Sequence, residues 1–451
     1  MARLSRPQRG DDTPNALETD ETDAGTPSSG APAADDAAGG RRGLPRTFES
    51  FRDREFRWFY LAMLGQMASI NMQMVVRGYL AFVLTGSYAI LGLVSLAGAA
   101  PMLALSVFGG VLADRLPKRT LLQAGQWASL ANAAAMAALL FADLMTVGWL
   151  LASSVAQGMV MALTMPARQA MIPEVVGMER MMNAVSLNMA GMNGMRLFAP
   201  AAGGFIISLA GFEWAFVTMA ALYGLAVVGL GRMTWQPAVA PAESGTGLIK
   251  MGMSGLQDIQ DGLRYIRADR LMYVLLIFSF VTSVFGMPYQ FLLPGYVADV
   301  FDGGGSEVGL LMSISAVGSL GGALALATFA LHRRGAMLLA GTALLAVTLI
   351  LFPVTDHYWI AAGVIVGVGV GEAMRMTLSQ GMLQSYVDNA YRGRVMSVYM
   401  TQFSMMQFGT FVVGVIAEFT GIRVAIAGLG AALLVTTLVA AVAAPRLRRL
   451  D

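Results

Sequence analysis

Long apolar runs separated by short polar breaks fill the sequence from residue 57 onward. A helix needs roughly 20 mostly apolar residues to cross the hydrocarbon core of a bilayer. The runs predict an all-α integral membrane protein with twelve transmembrane helices over 57–83, 89–112, 120–142, 147–166, 182–209, 212–234, 271–298, 307–331, 336–353, 357–380, 394–417 and 421–443. Only 13% of the residues are charged, against about 25% in soluble proteins, so we expect the lipid bilayer to cover most of the surface.

Three segments differ from this apolar pattern. Residues 1–48 are rich in Ala, Gly, Pro, Ser, Thr and Asp, which predicts a disordered cytoplasmic tail because little apolar surface can be buried. No apolar core follows the early arginines, so the tail is not read as a signal peptide. Residues 235–270 form a polar linker, and residues 446–451 form a C-terminal tail.

The linker divides the chain into a six-helix bundle over 49–234 and a second over 271–445. Leu256, Ile259 and Leu263 share one helical face within it, which predicts an amphipathic helix that lies on the membrane surface or packs under the bundle. The two halves also resemble each other, since Met189 matches Met400 and Gly203 matches Gly414 at one constant offset. A weak repeat of this kind is typical of rocking carriers with a substrate site between pseudo-symmetric halves.

Basic residues gather on one side of the predicted membrane, as they do in cytoplasmic loops. Both termini are therefore predicted to be cytoplasmic. The basic residues on this side are Arg52, Arg54, Arg57, Arg115, Lys118, Arg119, Arg168, Arg180, Arg232, Lys250, Arg264, Arg267, Arg270, Arg333, Arg334, Arg392, Arg394, Arg446, Arg448 and Arg449. The opposite loops carry Asp143, Glu213, Asp302, Glu307 and Asp356, with Arg423 as the exception.

Composition argues against several other functions. The net charge of +2 gives no reason to expect nucleic acid as a partner. The chain has no cysteine and only two histidines, so we expect no metal centre, no histidine-based hydrolase and no cofactor. Gly363, Gly367, Gly369 and Gly371 lack the strand–turn–helix context of a dinucleotide site and predict helix packing instead. A membrane enzyme or receptor is therefore disfavoured.

One loop motif carries a family resemblance. The stretch Gly109–Arg119 lies between predicted helices two and three and reads GGVLADRLPKR. It resembles the loop signature of the major facilitator superfamily. The resemblance implies a major facilitator fold and a conformational latch in which Asp114 is central, together with Gly110, Arg115, Lys118 and Arg119. Shorter stretches at 73–80, 166–170 and 392–397 are similar to the branch that contains the enterobactin exporter and related bacterial efflux proteins, which implies efflux across a bacterial cytoplasmic membrane.

Predicted helix five carries an exporter-like element, with Pro200, Gly203 and Gly204. Proline removes a helix hydrogen bond and the glycines permit close approach, so we expect a kink and tight packing there. In helix four, Ser154 stands where proton-coupled drug antiporters carry arginine in an R-x-x-Q-G element. The sequence therefore departs here from the usual arrangement for proton coupling.

Away from the span ends, four ionisable residues lie inside predicted spans, namely Arg77, Arg196, Glu372 and Arg375. A central charge costs about 2.5–3.5 kcal/mol on translocon scales, so each is expected to face a cavity or a partner. Glu372 and Arg375 are three apart and can pair, which makes Glu372 a candidate proton carrier or part of a static ion pair. Arg77 and Arg196 have no obvious acidic partner. They bind either an anionic, siderophore-like substrate or neighbouring amides and carbonyls; the candidate cavity residues are Gln73, Arg77, Asn188, Arg196 and Gln290.

The predicted function is secondary active export of a drug-like or siderophore-like small molecule by a monomer, with protons as the candidate coupling ion. The alternative is import of a nutrient or metal such as copper. Methionine pairs at helical spacing, such as Met63 with Met67 and Met161 with Met165, offer thioether sulfur for Cu(I). The same pairs are explained by adaptable packing.

Overall fold

A computed structural model describes residues 50–51, 53–176, 181–234, 264–328, 333–388, 391–448 and 450. Side chains at 106–115, 169–170, 172–176, 181, 397 and 446 are not described. The predicted tail and nearly all of the predicted amphipathic linker helix lie outside these residues. All the helices belong to one compact unit, Pro45–Asp451.

Helices account for the fold, and the described residues contain no strand. The first set comprises α1 (Arg54–Thr85), α2 (Tyr88–Arg115), α3 (Lys118–Phe141), α4 (Val147–Val176), α5 (Met181–Ala210) and α6 (Phe212–Arg232). The second set comprises α7 (Arg270–Gly286), α8 (Tyr289–Phe301), α9 (Gly305–Thr328), α10 (Arg334–Leu351), α11 (Tyr358–Tyr386), α12 (Arg392–Met400), α13 (Gln402–Thr420) and α14 (Ile422–Ala443), followed by the short α15 (Pro445–Arg448).

Within the described residues, ten helical segments are long and apolar enough to cross a membrane, counting α7 with α8 and α12 with α13 as one segment each. The helices α3 and α5 are not among the ten. Both have the length, with 24 and 30 residues, but Gln126 and Asn132 in α3 and Asn188 and Arg196 in α5 lower their hydropathy. Length and composition therefore support a multi-pass helical membrane protein.

The predicted seventh span, 271–298, is two helices rather than one. The helix α7 ends at Gly286 and α8 begins at Tyr289, with Met287 and Pro288 between them. Proline donates no backbone hydrogen bond and its ring crowds the preceding turn of a helix, which explains the break. The predicted eleventh span, 394–417, is likewise divided at Thr401.

The most extensive contacts between the sets are those of α5 with α9 and of α2 with α13. Glycine makes both contacts close. A Cβ atom at Gly204 of α5 would collide with the Gly305 carbonyl of α9, and one at Gly92 of α2 would lie 2.6 Å from the Phe411 Cα of α13. These contacts lie toward one end of the bundle, which we call the loop end, where Gly86, Gly211 and Gly421 join successive helices. The opposite end, which carries residues 54 and 443, is called the terminal end.

The buried apolar residues are distributed unequally between the two ends. A large cluster toward the loop end combines both sets, for example Val94 with Val413 and Ile207 with Val308. Toward the terminal end each set has its own cluster. One includes Phe56 and Leu230, and the other includes Met272, Leu383 and Leu447. Among the described residues, the two sets therefore share a core only toward the loop end.

The outer surface is apolar. Leu209, Phe419 and Val442 are each more than 80% exposed, as expected for side chains in contact with lipid. Trp149, Trp214 and Trp359 lie near the starts of α4, α6 and α11 and are more than half exposed at the loop end. Tryptophan prefers the membrane–water interface, so these residues mark the bilayer boundary at that end.

Candidate functional site

An ion pair joins the two helix sets. Arg196 lies near the middle of α5 and Glu372 near the middle of α11, and Arg196 Nη2 donates to Glu372 Oε1 over 2.9 Å. The Glu372 side chain is 1% exposed, whereas that of Arg196 is 40% exposed. The carboxylate is therefore buried at the contact between the two sets, whereas the arginine side chain that neutralises it is partly exposed.

The start of α8 supplies the other donors to Glu372. The Tyr289 hydroxyl donates to Glu372 Oε2 over 3.3 Å, and Gln290 Nε2 donates to the same oxygen. Gln290 also donates to the Tyr289 hydroxyl. The break at Pro288 places both side chains in the first turn of a new helix, so they reach the carboxylate together. Such donors compensate much of the cost of burying a carboxylate.

Arg375 has a different partner from the one expected. It is 2% exposed, and its Nη1 donates to Ser283 Oγ of α7 over 3.0 Å. Ser283 in turn donates to Gln402 Oε1 of α13. The expected pairing of Glu372 with Arg375 is therefore wrong for this structure, and so is the expectation that Arg196 lacks an acidic partner. Spacing by three residues permits contact along a helix, but the structure directs these two groups to different neighbours.

Arg77 lies in a separate polar cluster inside the first set. Its Nη2 donates to Ser153 Oγ over 2.8 Å and its Nη1 to Ser154 Oγ over 3.4 Å. With the Gln73 amide turned so that its oxygen faces Arg77, that oxygen lies 2.6 Å from the guanidinium nitrogens. A small cavity borders the cluster; its lining is Gln73, Arg77, Ser129, Asn132, Ala133, Gln157, Phe216, Met219 and Tyr223.

The remaining cavity candidate, Asn188, is apart from both clusters. It is 8% exposed, and its Nδ2 lies 3.6 Å from Met192 Sδ, one turn further along α5. The predicted cavity residues are thus divided among three places. Arg196 and Gln290 meet at Glu372, Gln73 and Arg77 meet in the first set, and Asn188 stays on its own helix.

The predicted latch falls partly outside the described atoms. Gly110, Asp114 and Arg115 lie in the last turns of α2, where side chains are not described. Lys118 and Arg119 begin α3. Arg119 donates from Nε to Leu230 O over 3.0 Å and from Nη2 to Gly231 O over 2.9 Å. It thereby caps the carbonyl groups that α6 leaves unpaired at its end.

The predicted kink residues lie at the contact between the sets. Pro200 is inside α5, which continues helically through it. Gly203 faces Met72 of α1, and Gly204 faces Gly305 of α9. Added Cβ atoms would meet neighbours at both glycines, so the element serves close packing toward the loop end.

Sequence reasoning missed Tyr289, Ser283 and Gln402. No spacing rule could have identified them, because Tyr289 and Ser283 lie on different helices from the charges that they contact, and Gln402 contacts Ser283 from a third helix. The sequence marked these residues only as polar side chains within apolar runs. The arrangement contains no group of three or more His, Cys, Asp or Glu side chains that could hold a metal ion among the described residues. It places a hydrogen-bonded ion pair at the contact between the two helix sets.

Comparisons with known proteins agree with this architecture. A peptide transporter of the POT family in complex with sulfate matches 90% of this chain and 99% of its own, with a TM-score of 0.69 at 15% identity. A bacterial homologue of the human lysosomal transporter Spinster, inward-facing and unoccupied, matches 90% and 97% with a TM-score of 0.65 at 15% identity. At these identities the likeness shows the fold alone.

Sequence relatives are also transporters. The staphyloferrin A transporter of Staphylococcus aureus is 24% identical over 340 residues, covering 74% of this chain and 82% of its own. The multidrug efflux pump Tap of Mycolicibacterium fortuitum is 27% identical over 377 residues, covering 81% and 90%. The family model described as transmembrane secretion effector matches residues 46–451. The chain therefore belongs to the transmembrane secretion effector family of the major facilitator superfamily, and it is a multi-pass transporter of a cell membrane rather than an enzyme.

Proposed function

We propose that this transporter exports a small molecule from the bacterial cytoplasm by alternating access, driven by an ion gradient with protons as the candidate ion. The observation that carries the proposal is the Arg196–Glu372 ion pair, which joins one helix from each set near mid-helix. The family description and the efflux pump among the relatives support the outward direction.

The distribution of the core supports a rocking movement. The sets share buried apolar residues toward the loop end and have separate clusters toward the terminal end. Separation at one end and packing at the other is the geometry of one limiting state of a carrier. With the termini in the cytoplasm, as the basic residues predict, this state is inward-facing and receives its substrate from the cytoplasm.

The Arg196–Glu372 pair is a suitable coupling element in such a cycle. A carboxylate that is 1% exposed and satisfied by Arg196, Tyr289 and Gln290 is costly to leave ionised once the sets separate around it. Rocking that withdraws Arg196 therefore favours either protonation of Glu372 or replacement of the lost cation. Both outcomes link movement to the binding of another species.

Everted membrane vesicles from an efflux-deficient host test the direction and the coupling. We would follow ethidium and carboxyfluorescein, a cationic and an anionic fluorophore, together with a respiration-driven pH gradient. Export predicts accumulation of at least one dye in everted vesicles and partial collapse of the gradient when it is added. Arg196→Gln and Glu372→Gln are expected to abolish coupled accumulation.

The matched control is Arg423→Gln, which removes an exposed ion pair with Asp356 that lies within the second set. It should transport as the wild type does. Uptake into right-side-out vesicles but not into everted ones would overturn export and favour import instead, and a Cu(I) uptake assay would then follow.

A further inference from the structure

We propose that Arg196 binds an anionic group of the substrate in exchange with Glu372, and that the displaced Glu372 carboxylate passes to Arg375. The inference rests on the proposed transport function and names its substrate class, an organic anion. It assigns Arg196 as a specificity-determining residue and Arg375 as a positioning residue that receives Glu372.

Arg196 and Glu372 differ in their accessibility to a ligand. The Arg196 side chain is 40% exposed while its Glu372 partner is 1% exposed. A ligand can therefore contact the Arg196 side chain but not the carboxylate. Guanidinium presents five donors in a planar fork and pairs with carboxylate or phosphate in two parallel hydrogen bonds. Glu372 accepts from one donor of that fork, Nη2, which leaves other donors for an incoming anion.

Arg375 offers the Glu372 carboxylate a second cationic partner. Arg375 lies one turn along α11, and the charge of Glu372 acts on it directly. Its Nη1 is engaged by the neutral Ser283, and its Nε is buried without a hydrogen-bond partner among the described residues. A buried cationic donor without a partner is costly. A change of side-chain rotamer in Glu372 would supply the missing acceptor.

The net charge of Arg196, Glu372 and Arg375 favours an anionic ligand. Arg196, Glu372 and Arg375 carry one negative and two positive charges. One carboxylate can neutralise only one of the two arginines, so the resting site has an excess positive charge in a low-dielectric setting. One anionic substrate group makes two ion pairs possible at once, Arg196 with the substrate and Arg375 with Glu372. A cationic cargo would add to the excess, so the site discriminates against it.

Equilibrium binding by the detergent-purified full chain tests the exchange without requiring transport. The probe is carboxyfluorescein, followed by fluorescence anisotropy, with ethidium as the cationic counterpart. Arg196→Gln should raise the Kd for carboxyfluorescein at least tenfold, and Arg196→Lys should restore part of it. Glu372→Gln should lower the Kd about tenfold, because it removes the competing carboxylate.

A double-mutant cycle isolates the role of Arg375. Arg375→Gln should raise the Kd about tenfold in the native background, because displaced Glu372 then has no partner. In the Glu372→Gln background the same change should alter the Kd less than twofold. A purely structural role predicts equal effects in both backgrounds, and that result would overturn the exchange. Elution as a single size-exclusion peak verifies that each variant is folded.

The outcomes separate this inference from the proposed function. Accumulation of ethidium in everted vesicles, with no Arg196-dependent binding of carboxyfluorescein, would overturn the exchange and leave export standing. Arg196-dependent binding of carboxyfluorescein with no accumulation of either dye would support the exchange and count against export.

Discussion

Arg77 is a charged residue that is buried inside the first helix set. The residue is 8% exposed, and its guanidinium is bound by Ser153, Ser154 and Gln73, which are all neutral. Hydrogen bonds to charged groups contribute about 1.5–3 kcal/mol each, and leaving a buried charge without one costs more than the bond alone. The stability of this part of the first set therefore depends on small hydroxyl groups.

We predict that Ser153→Ala lowers the free energy of unfolding by about 1.5–3 kcal/mol, because it removes the 2.8 Å bond to Arg77 without a replacement. Thermal unfolding of the detergent-purified protein measures the effect. Ser186→Ala is the control, since that hydroxyl donates only to the Met182 carbonyl on an exposed surface. Equal losses in the two variants would contradict the stated role of Ser153.

At the scale of helices, the start of α2 is held by a carboxylate from the other set. Glu418 Oε2 of α13 accepts from the Ser87 hydroxyl, the Tyr88 amide and the Ala89 amide over 3.0, 2.9 and 3.3 Å. The first amides of a helix have no partner within it, and an acceptor with negative charge stabilises them. Glu418 therefore both caps α2 and holds the two sets together at the loop end.

We expect Glu418→Ala to open the loop end, with a cost to the packed state of about 1–2 kcal/mol from the lost cap and charge. The natural absence of cysteine allows spin labels at Leu144→Cys and Val354→Cys, two exposed loop-end positions on different sets. Distances between these labels should shift toward longer values in Glu418→Ala. Asp356→Ala serves as the control, because it removes a loop-end ion pair with Arg423 that lies within the second set; an equal shift there would refute the assignment.

At the scale of the whole molecule, the two helix sets share one apolar core toward the loop end, and each set has a core of its own toward the terminal end. Their contact toward the loop end depends on glycines, since Gly204 and Gly309 bring the α5 and α9 backbones into contact. Small residues allow such approach in membranes, where helices are not driven together by the hydrophobic effect.

The distribution of basic residues predicts how the molecule lies in the membrane. Leu144→Cys at the loop end should react with a membrane-impermeant maleimide in intact cells. Arg448→Cys at the terminal end should react only in everted membranes. The opposite pattern of labelling would reverse the assigned orientation, and with it the inward-facing interpretation of this state.

The sequence alone determined the helical membrane fold, the approximate helix positions and the family. Apolar length and turn residues act locally, and lipid allows few other solutions for a chain with this pattern. Pro288 was also visible in the sequence. The predicted span 271–298 did not take into account that proline interrupts a helix, and α7 ends before it. The Gly109–Arg119 stretch carried the resemblance because its residue types and spacing are specific.

Only the tertiary structure decided the partners of the buried charges. From spacing, Glu372 had one obvious neighbour, Arg375, yet its ion pair is with Arg196, which is 176 residues away in the chain. The end at which the sets pack together was equally invisible, because contacts between distant helices depend on how whole bodies fit. Local pattern specifies where a helix runs, whereas long-range packing in a low-dielectric interior decides which charge meets which.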